Sequence, residues 1–388
     1  MKGFALILLL AMTAPVAAAD SYFLYAGAYT DAPSTSTGIY AWRFTPATGA
    51  LAPLGLAADT VNPAFISATP DGRFLYAVNW QTQDAAKGKD TVSAFSIDAK
   101  TGKLDFLNKV LSGGGLPNQV VVAPGGKAVM VTNYSFTFKD NNVAQNNSAF
   151  TALPILADGK LGQAFYSDHH SGPALSDKQV NGAHTHGVAF SKDGRFAFVA
   201  ELGLDRVYSY RFNPAKPSLA PFNPPYVATT AGAGPRRLVL APNGNFLYVN
   251  HETDSKVSVF AVNGGGLREI QQISTLPDNF SGRNTTAEIA ISSDGRFVYV
   301  SNRGDDSVVV FAVDHNTGGL ALRQRAPSLG KSPRNITIDP SGNYLFAANQ
   351  NSDNITVFKR DTATGELTPT GGPLKMGQPG SLLFVKAP

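Results

Sequence analysis

One phrase recurs six times along this chain: a short apolar run, a Gly-bearing turn, then an aromatic-rich run ending in polar residues. The turns are Asp71-Gly72, Gly125-Gly126, Asp193-Gly194, Asn243-Gly244, Asp294-Gly295 and Ser341-Gly342, separated by 54, 68, 50, 51 and 47 residues. A unit of that length cannot bury its own apolar faces, so neighbouring units must stack. The repeat also carries an internal control. A residue type that recurs in one slot belongs to the architecture, and a slot whose residues differ is open to chemistry.

The repeat that starts at Ser332 shows what each unit contains. Its runs Asn335 to Ile338, Tyr344 to Ala348 and Ile355 to Phe358, with a last one near Leu367, are short, β-branched or aromatic, and bounded by turn residues. Each reads as a strand, giving an inner, a second, a third and an outer strand per unit. The chain ends complete one another. Phe23-Leu24-Tyr25-Ala26 matches a second strand with no inner strand before it, and Pro379 to Val385 matches an inner strand with nothing after it. The predicted fold is therefore all-β: a seven-bladed β-propeller closed by pairing of the N- and C-terminal strands in one blade. Closure removes the exposed edges of an open ring. One domain is expected over residues 20–388, at about 53 residues per blade.

Residues 1–19 read as a signal peptide, with Lys2 at the start, an apolar stretch from Ala5 to Met12, and Ala17-Ala18-Ala19 as a small-residue cleavage site. A periplasmic or secreted protein is expected, with no membrane association after cleavage. No cysteine is present, which excludes disulfides and thiolate chemistry. A net charge of +4 with no basic run gives no nucleic-acid footprint. The 68-residue spacing carries an insertion with an Asn-rich part (Asp140 to Ser148) and a Gly/Pro/His part (Tyr166 to Gly182). It reads as a lid over one face or as a surface excursion, with His169 and His170 taken as surface residues. A monomer is expected.

The start of each inner strand and the end of each second strand share one rim of the ring. At the end of the second strand, Asn stands at Asn79, Asn133, Asn302 and Asn349, and its place is taken by Ala28, Glu201 and His251 elsewhere. Recurrent Asn there is architecture, bonding nearby backbone. Asp90, Asp205, Asp306 and Asp353 recur before the third strand and read as turn-closing residues rather than catalytic carboxylates. Two other slots do not recur. One collects Tyr29, Trp80, Tyr134, Glu252, Arg303 and Gln350; the other, just after a recurrent Pro, collects His186, Arg236 and Arg334, followed by Arg237 and Glu288. His184 lies two residues before His186. In a chain with 15% charged residues this convergence marks a pocket, although a ring of interblade salt bridges would use the same residues. Strand alternation could turn Glu288 and Arg237 away from the channel.

The stretches His184-Thr185-His186, Gly234-Pro235-Arg236-Arg237, Asn250-His251-Glu252, Ala287-Glu288-Ile289, Asn302-Arg303-Gly304 and Pro333-Arg334-Asn335 span most of the chain. As a set they resemble the propeller-type lactonase family, which includes bacterial 6-phosphogluconolactonases and fungal carboxymuconate cyclases. The resemblance implies a carboxylic ester hydrolase that opens a lactone. His186, Glu252, Arg236 and Arg303 would be catalytic. Arg334, Gln350, Glu288, His184, Trp80 and Tyr134 would contact a small-molecule lactone or carboxylate, with no cofactor and no metal. An exported protein departs from the cytosolic phosphogluconolactonase role, so the reaction type carries over more readily than that substrate. Either His186 or Glu252 could be the base. No G-x-S-x-G elbow is present, which favours direct water attack. A muconate-type cyclase or isomerase using the same residues, and a non-catalytic periplasmic binding or scaffold propeller, remain alternatives.

Overall fold

A computed structural model of the chain describes residues 20–80, 90–135, 138–140, 143–145, 148–172 and 182–387. The segment read as a signal peptide lies outside these residues, as do residues 141–142, 146–147 and 173–181 of the insertion.

Seven antiparallel sheets form the ring. Blade 1 pairs Pro379–Ala387 as inner strand with Ser21–Ala28, followed by Gly38–Thr45 and Ala50–Asp59. Blade 2 runs Ile66–Ala68, Phe74–Asn79, Thr91–Ile97 and Leu104–Leu111; blade 3 runs Pro117–Val122, Ala128–Asn133, Ala149–Pro154 and Tyr166–Asp168. Blade 4 comprises Thr185–Phe190, Phe196–Glu201, Arg206–Phe212 and Leu219–Ala228, and blade 5 comprises Pro235–Leu240, Phe246–His251, Lys256–Asn263 and Gly266–Ser274. Blade 6 holds Thr285–Ile291, Phe297–Arg303, Ser307–Val313 and Leu320–Pro327; blade 7 holds Pro333–Ile338, Tyr344–Asn349, Asn354–Arg360 and Leu367–Pro369. The closing pair runs from Ser21 opposite Ala387 to Ala28 opposite Pro379, as the matching of the two chain ends predicts.

The second strands are buried on both faces, and their alternation holds the ring together. Phe23 and Tyr25 of blade 1 pack into blade 2 with Ile66, Leu75 and Phe95, while Leu24 and Ala26 pack into blade 7 with Phe346 and Ile355. Each of the seven apolar clusters lies between one pair of neighbouring blades. Buried tyrosines add a polar stitch to the same contacts. Tyr25, Tyr76, Tyr248 and Tyr299 donate their hydroxyls at 2.8–3.1 Å to the carbonyls of Gly102, Gly159, Gly318 and Gly365 in the following blade.

The recurrent Asp residues are latches between blades. Asp205 accepts the backbone N–H groups of Gly232 and Gly234 at 2.7 and 2.8 Å, where the chain enters blade 5. Asp90, Asp306 and Asp353 accept those of Leu116, Ser332 and Gln378 in the same way, at 2.7–2.9 Å. These carboxylates satisfy loop donors and hold the inner-strand entrances in place. They are thereby occupied.

Candidate active site

The rim slot after the recurrent Pro owes its character to a repeated irregularity. At the start of the inner strand the pairing register skips one residue: Pro117 and Gln119 pair in sequence, as do Thr185 and Gly187, Pro235 and Arg237, and Pro333 and Asn335. The skipped residues are Asn118, His186, Arg236 and Arg334. A β-bulge leaves one residue out of the ladder and re-aims its side chain. The bulge therefore presents His186, Arg236 and Arg334 to the same rim from blades 4, 5 and 7. In blade 6 the register jumps from Thr286 to Ile289, freeing Ala287 and Glu288.

Glu252, which follows the second strand of blade 5, and Arg303, which ends that of blade 6, meet this set. Arg236 Nε donates to Glu252 Oε2 at 2.5 Å, and Arg303 Nη2 lies 3.0 Å from the same oxygen. Arg236 also donates to the carbonyl of Ala287, and Arg303 to that of Thr286 at 3.1 Å. Burial alone would raise the Glu252 pKa, but Arg303 and Arg236 outweigh it and hold the carboxyl at about 2. Glu252 is thus a fixed anion that aligns two guanidiniums, and a poor acceptor of a proton at neutral pH.

His186 has the opposite character. It is 3% exposed, and its Nδ1 has no hydrogen-bond partner among the described residues. Burial first, then the charges of Arg236, Arg237, Arg334 and Arg303, push its pKa well below 6.5. The imidazole is therefore neutral at pH 7, with a lone pair to offer. The Tyr134 ring meets it edge-on, with centroids 5.9 Å apart, and stacks on His184 at 4.4 Å. His184 Nδ1 lies 2.7 Å from the Tyr134 carbonyl oxygen. His184 is fully buried and supports the wall that Tyr134 presents. Burial and Glu252 push the Tyr134 hydroxyl up to about 12, so it stays protonated.

The other wall is aromatic. Tyr29 and Trp80 meet edge to face at 5.9 Å, and the Arg334 guanidinium sits 5.2 Å from the Tyr29 ring centre. Among the described residues Arg334 has no carboxylate partner, unlike Arg236 and Arg303. Gln350 opens the short 3₁₀ turn Gln350–Ser352 on this side and is half-buried.

Glu288 and Arg237 stand one residue further along their strands than the bulge slot, and they face the channel. The bulge resets the alternation that would have turned them away. Glu288 Oε2 accepts from Asn335 Nδ2 at 2.8 Å and lies 3.7 Å from Arg237 Nε. Glu288 is thus engaged in a polar belt beneath the rim. Gly187 is required by close approach here: a Cβ would stand 2.5 Å from the Arg236 carbonyl oxygen and 3.0 Å from Arg237 Cα.

Two networks escaped the sequence reading. His170, expected at the surface, is buried; it stacks on Tyr208 at 3.8 Å and reaches Glu201 with Nδ1 at 2.9 Å and Tyr210 with Nε2 at 2.7 Å. The cause is the Asn slot. Asn79 donates its amide to the Val61 carbonyl at 2.8 Å, but a carboxylate can only accept. Glu201 therefore gathers donors: the backbone N–H groups of His184 and Gly203, and His170 from the insertion. The second network has triad spacing without triad chemistry. His251 lies 3.1 Å from Asp254 and 2.9 Å from Ser258 Oγ, yet Ser258 is fully buried and donates its proton to Glu269. No carbonyl can reach that oxygen.

The family follows from comparison with known proteins. The family described as "Lactonase, 7-bladed beta-propeller" matches residues 23–384. The chain belongs to this lactonase family. Membership places it among the carboxylic ester hydrolases that act on lactones. It is 31% identical over 322 residues to a 6-phosphogluconolactonase of Bacillus subtilis, covering 81% of this chain and 84% of that protein. A 6-phosphogluconolactonase of Formosa agariphila is also 31% identical, over 80% of this chain and 85% of its own length. Among solved structures, the periplasmic gluconolactonase PpgL of Pseudomonas aeruginosa superposes with a TM-score of 0.86 at 34% identity, covering 95% of this chain and all of that one.

Proposed function

We propose that this lactonase is an exported enzyme that opens an anionic sugar lactone by direct attack of water, with His186 as the base. The observation that carries the reading is the buried, neutral His186, its Nδ1 unpartnered among the described residues and its field set by four guanidiniums. His186 takes a proton from water as the water oxygen bonds to the lactone carbonyl carbon. The charge that develops on the carbonyl oxygen falls to Arg303 and Arg236, held in place by Glu252. The ring C–O bond then breaks, and the leaving alkoxide takes the proton from His186. The product is a hydroxy acid, and the imidazole is restored. Of the two candidate bases, Glu252 is set aside because its charge is committed to Arg236 and Arg303.

Arg236, Arg237, Arg303 and Arg334 face Glu252 and Glu288, so the pocket carries excess positive charge. That excess supports an anionic substrate, with Arg334 free to meet its acidic group and Tyr29 and Trp80 to take the ring face. Export is supported by the N-terminal segment, and no helix among the described residues is long and apolar enough to cross a membrane. A glucarate-derived lactone, carrying a carboxylate, should show a KM at least tenfold below that of neutral glucono-1,5-lactone in a pH-stat assay corrected for spontaneous opening. The gap should close with added salt. Equal KM values for the two would contradict the anionic-substrate reading.

The pH profile should carry the mark of His186. Its pKa in the free enzyme lies below the ordinary value, so the base is unprotonated across neutral pH and is lost only when the pH falls well below 6.5. The acid limb of kcat/KM is expected there. A bound anion favours the imidazolium, so the acid limb of kcat should lie higher than that of kcat/KM. A kcat/KM limb at or above 6.5 would assign the limb to another group.

A further inference from the structure

Arg237 stands in a slot that does not recur: across the blades it holds Phe65, Gln119, Gly187, Arg237, Glu288, Asn335 and Ser381. The residue is 4% exposed, and its side chain reaches from blade 5 to Phe65 of blade 2. From blade 5, Nη1 donates to the carbonyl of His186 in blade 4 at 2.9 Å, and Nη2 donates to that of Asn118 in blade 3 at 3.0 Å. The guanidinium carbon lies 4.5 Å from the ring centre of Phe65 in blade 2, three blades away round the ring. On the other side Nε faces Glu288 of blade 6 at 3.7 Å. One side chain thereby touches four other blades.

Both carbonyls that Arg237 grips belong to bulge residues. A bulge residue is outside the ladder, so its own strand fixes it less firmly than its neighbours. The His186 carbonyl is held from outside its strand twice: Thr132 Oγ1 of blade 3 donates to it at 2.9 Å, and the planar fork of Arg237 adds a second hold that also grips the Asn118 carbonyl. The backbone N–H of Arg237 is satisfied separately by Asn250 Oδ1 at 2.9 Å, so the side chain is not needed to complete its own strand.

We infer that Arg237 is a positioning residue for the proposed reaction: it floors the pocket and holds the His186 main chain so that the imidazole stays aimed at the rim. This rests on the reading of His186 as the base. Arg237 also adds to the field around the imidazole. The other groups in that field are Arg236, Arg303 and Arg334, with Glu252 and Glu288 opposing them and Tyr134 and His184 forming the aromatic wall.

Two variants separate the fork from the charge. Arg237→Lys keeps a cation but cannot hold two carbonyls in one plane; it should fold, leave the His186 titration close to that of the parent, and lower kcat at least tenfold. Arg237→Gln removes the cation; the His186 titration, followed by NMR without substrate and assigned by its loss in His186→Asn, should move up toward 6.5. The acid limb of kcat/KM should move with it. A part in packing alone would lower thermal stability in both variants and leave the titration where it was. A folded Arg237→Lys with kcat within twofold of the parent, or a folded Arg237→Gln with an unmoved titration, overturns the inference. If Arg237→Gln does not fold, Arg237→Lys decides alone. A parent inactive on every lactone would defeat the hydrolase reading instead, and the titration would then decide the role of Arg237 by itself.

Discussion

His186→Asn should slow lactone opening by about 10²–10⁴-fold, the range for loss of a positioned general base. The melting temperature should stay within a few degrees of the parent, because the native imidazole already leaves Nδ1 unpartnered and is neutral. Asn keeps a polar group of similar reach facing Tyr134. The KM for an anionic lactone should change little, since Arg334, Arg303 and Arg236 all remain. The pattern to look for is a fall in kcat and kcat/KM together, which marks an interaction made in the transition state. A variant with parent-like kcat would remove His186 from the mechanism. Loss through KM alone would make it a binding residue.

Glu252→Gln is the second large effect, and its signature differs. The carboxylate is the single anion between Arg236, which is 1% exposed, and Arg303. Gln leaves two guanidiniums pressed together without a counter-charge. Removing one partner of a buried pair costs about 3–5 kcal/mol. Glu252 keeps some contact with solvent, so about 2–4 kcal/mol is expected here. Activity should fall at least a hundredfold as both guanidiniums lose their aim. The pH dependence gives an internal check. The pKa of Glu252 falls from the ordinary 4.5 to about 2 in the folded protein. Its contribution is therefore fully present above 4.5 and is lost as the pH falls toward 2. The stability gap between parent and Glu252→Gln, measured by denaturant unfolding, should be widest near neutral pH and shrink below pH 4.5. A gap independent of pH would mean that the ion pair is not its source.

Much of this was legible in the sequence because a propeller prints its pattern several times. The Gly turns, the Tyr25-type second strands and the turn-closing Asp residues recur, so each blade vouches for the next. The slot of His186, Arg236 and Arg334 was found by its failure to recur. The bulge explains that freedom: a residue skipped by the ladder has no cross-strand partner to match. The same bulge left the orientation of Arg237 and Glu288 open, because strict alternation sends the residue after a rim residue away from the channel. His170 and Glu201 stayed hidden for another reason. A carboxylate in an Asn slot must find donors, and which part of the insertion supplies them depends on a loop path that no periodicity encodes. The Asp254, His251 and Ser258 set shows the converse. Residue types and spacings alone would pass it as a triad, and only burial and the Glu269 contact disqualify it.

The most direct test is a crystal structure of His186→Asn soaked with an anionic lactone. The lactone is expected on the rim shared by Tyr29, Trp80 and Arg334, its acidic group on Arg334. Its carbonyl carbon should lie about 3–3.5 Å from a water on the residue 186 side, with its carbonyl oxygen toward Arg303. A lactone bound instead on the face of the Asp71-Gly72 and Asp193-Gly194 turns, or on the correct rim with its carbonyl turned away from residue 186, would contradict it.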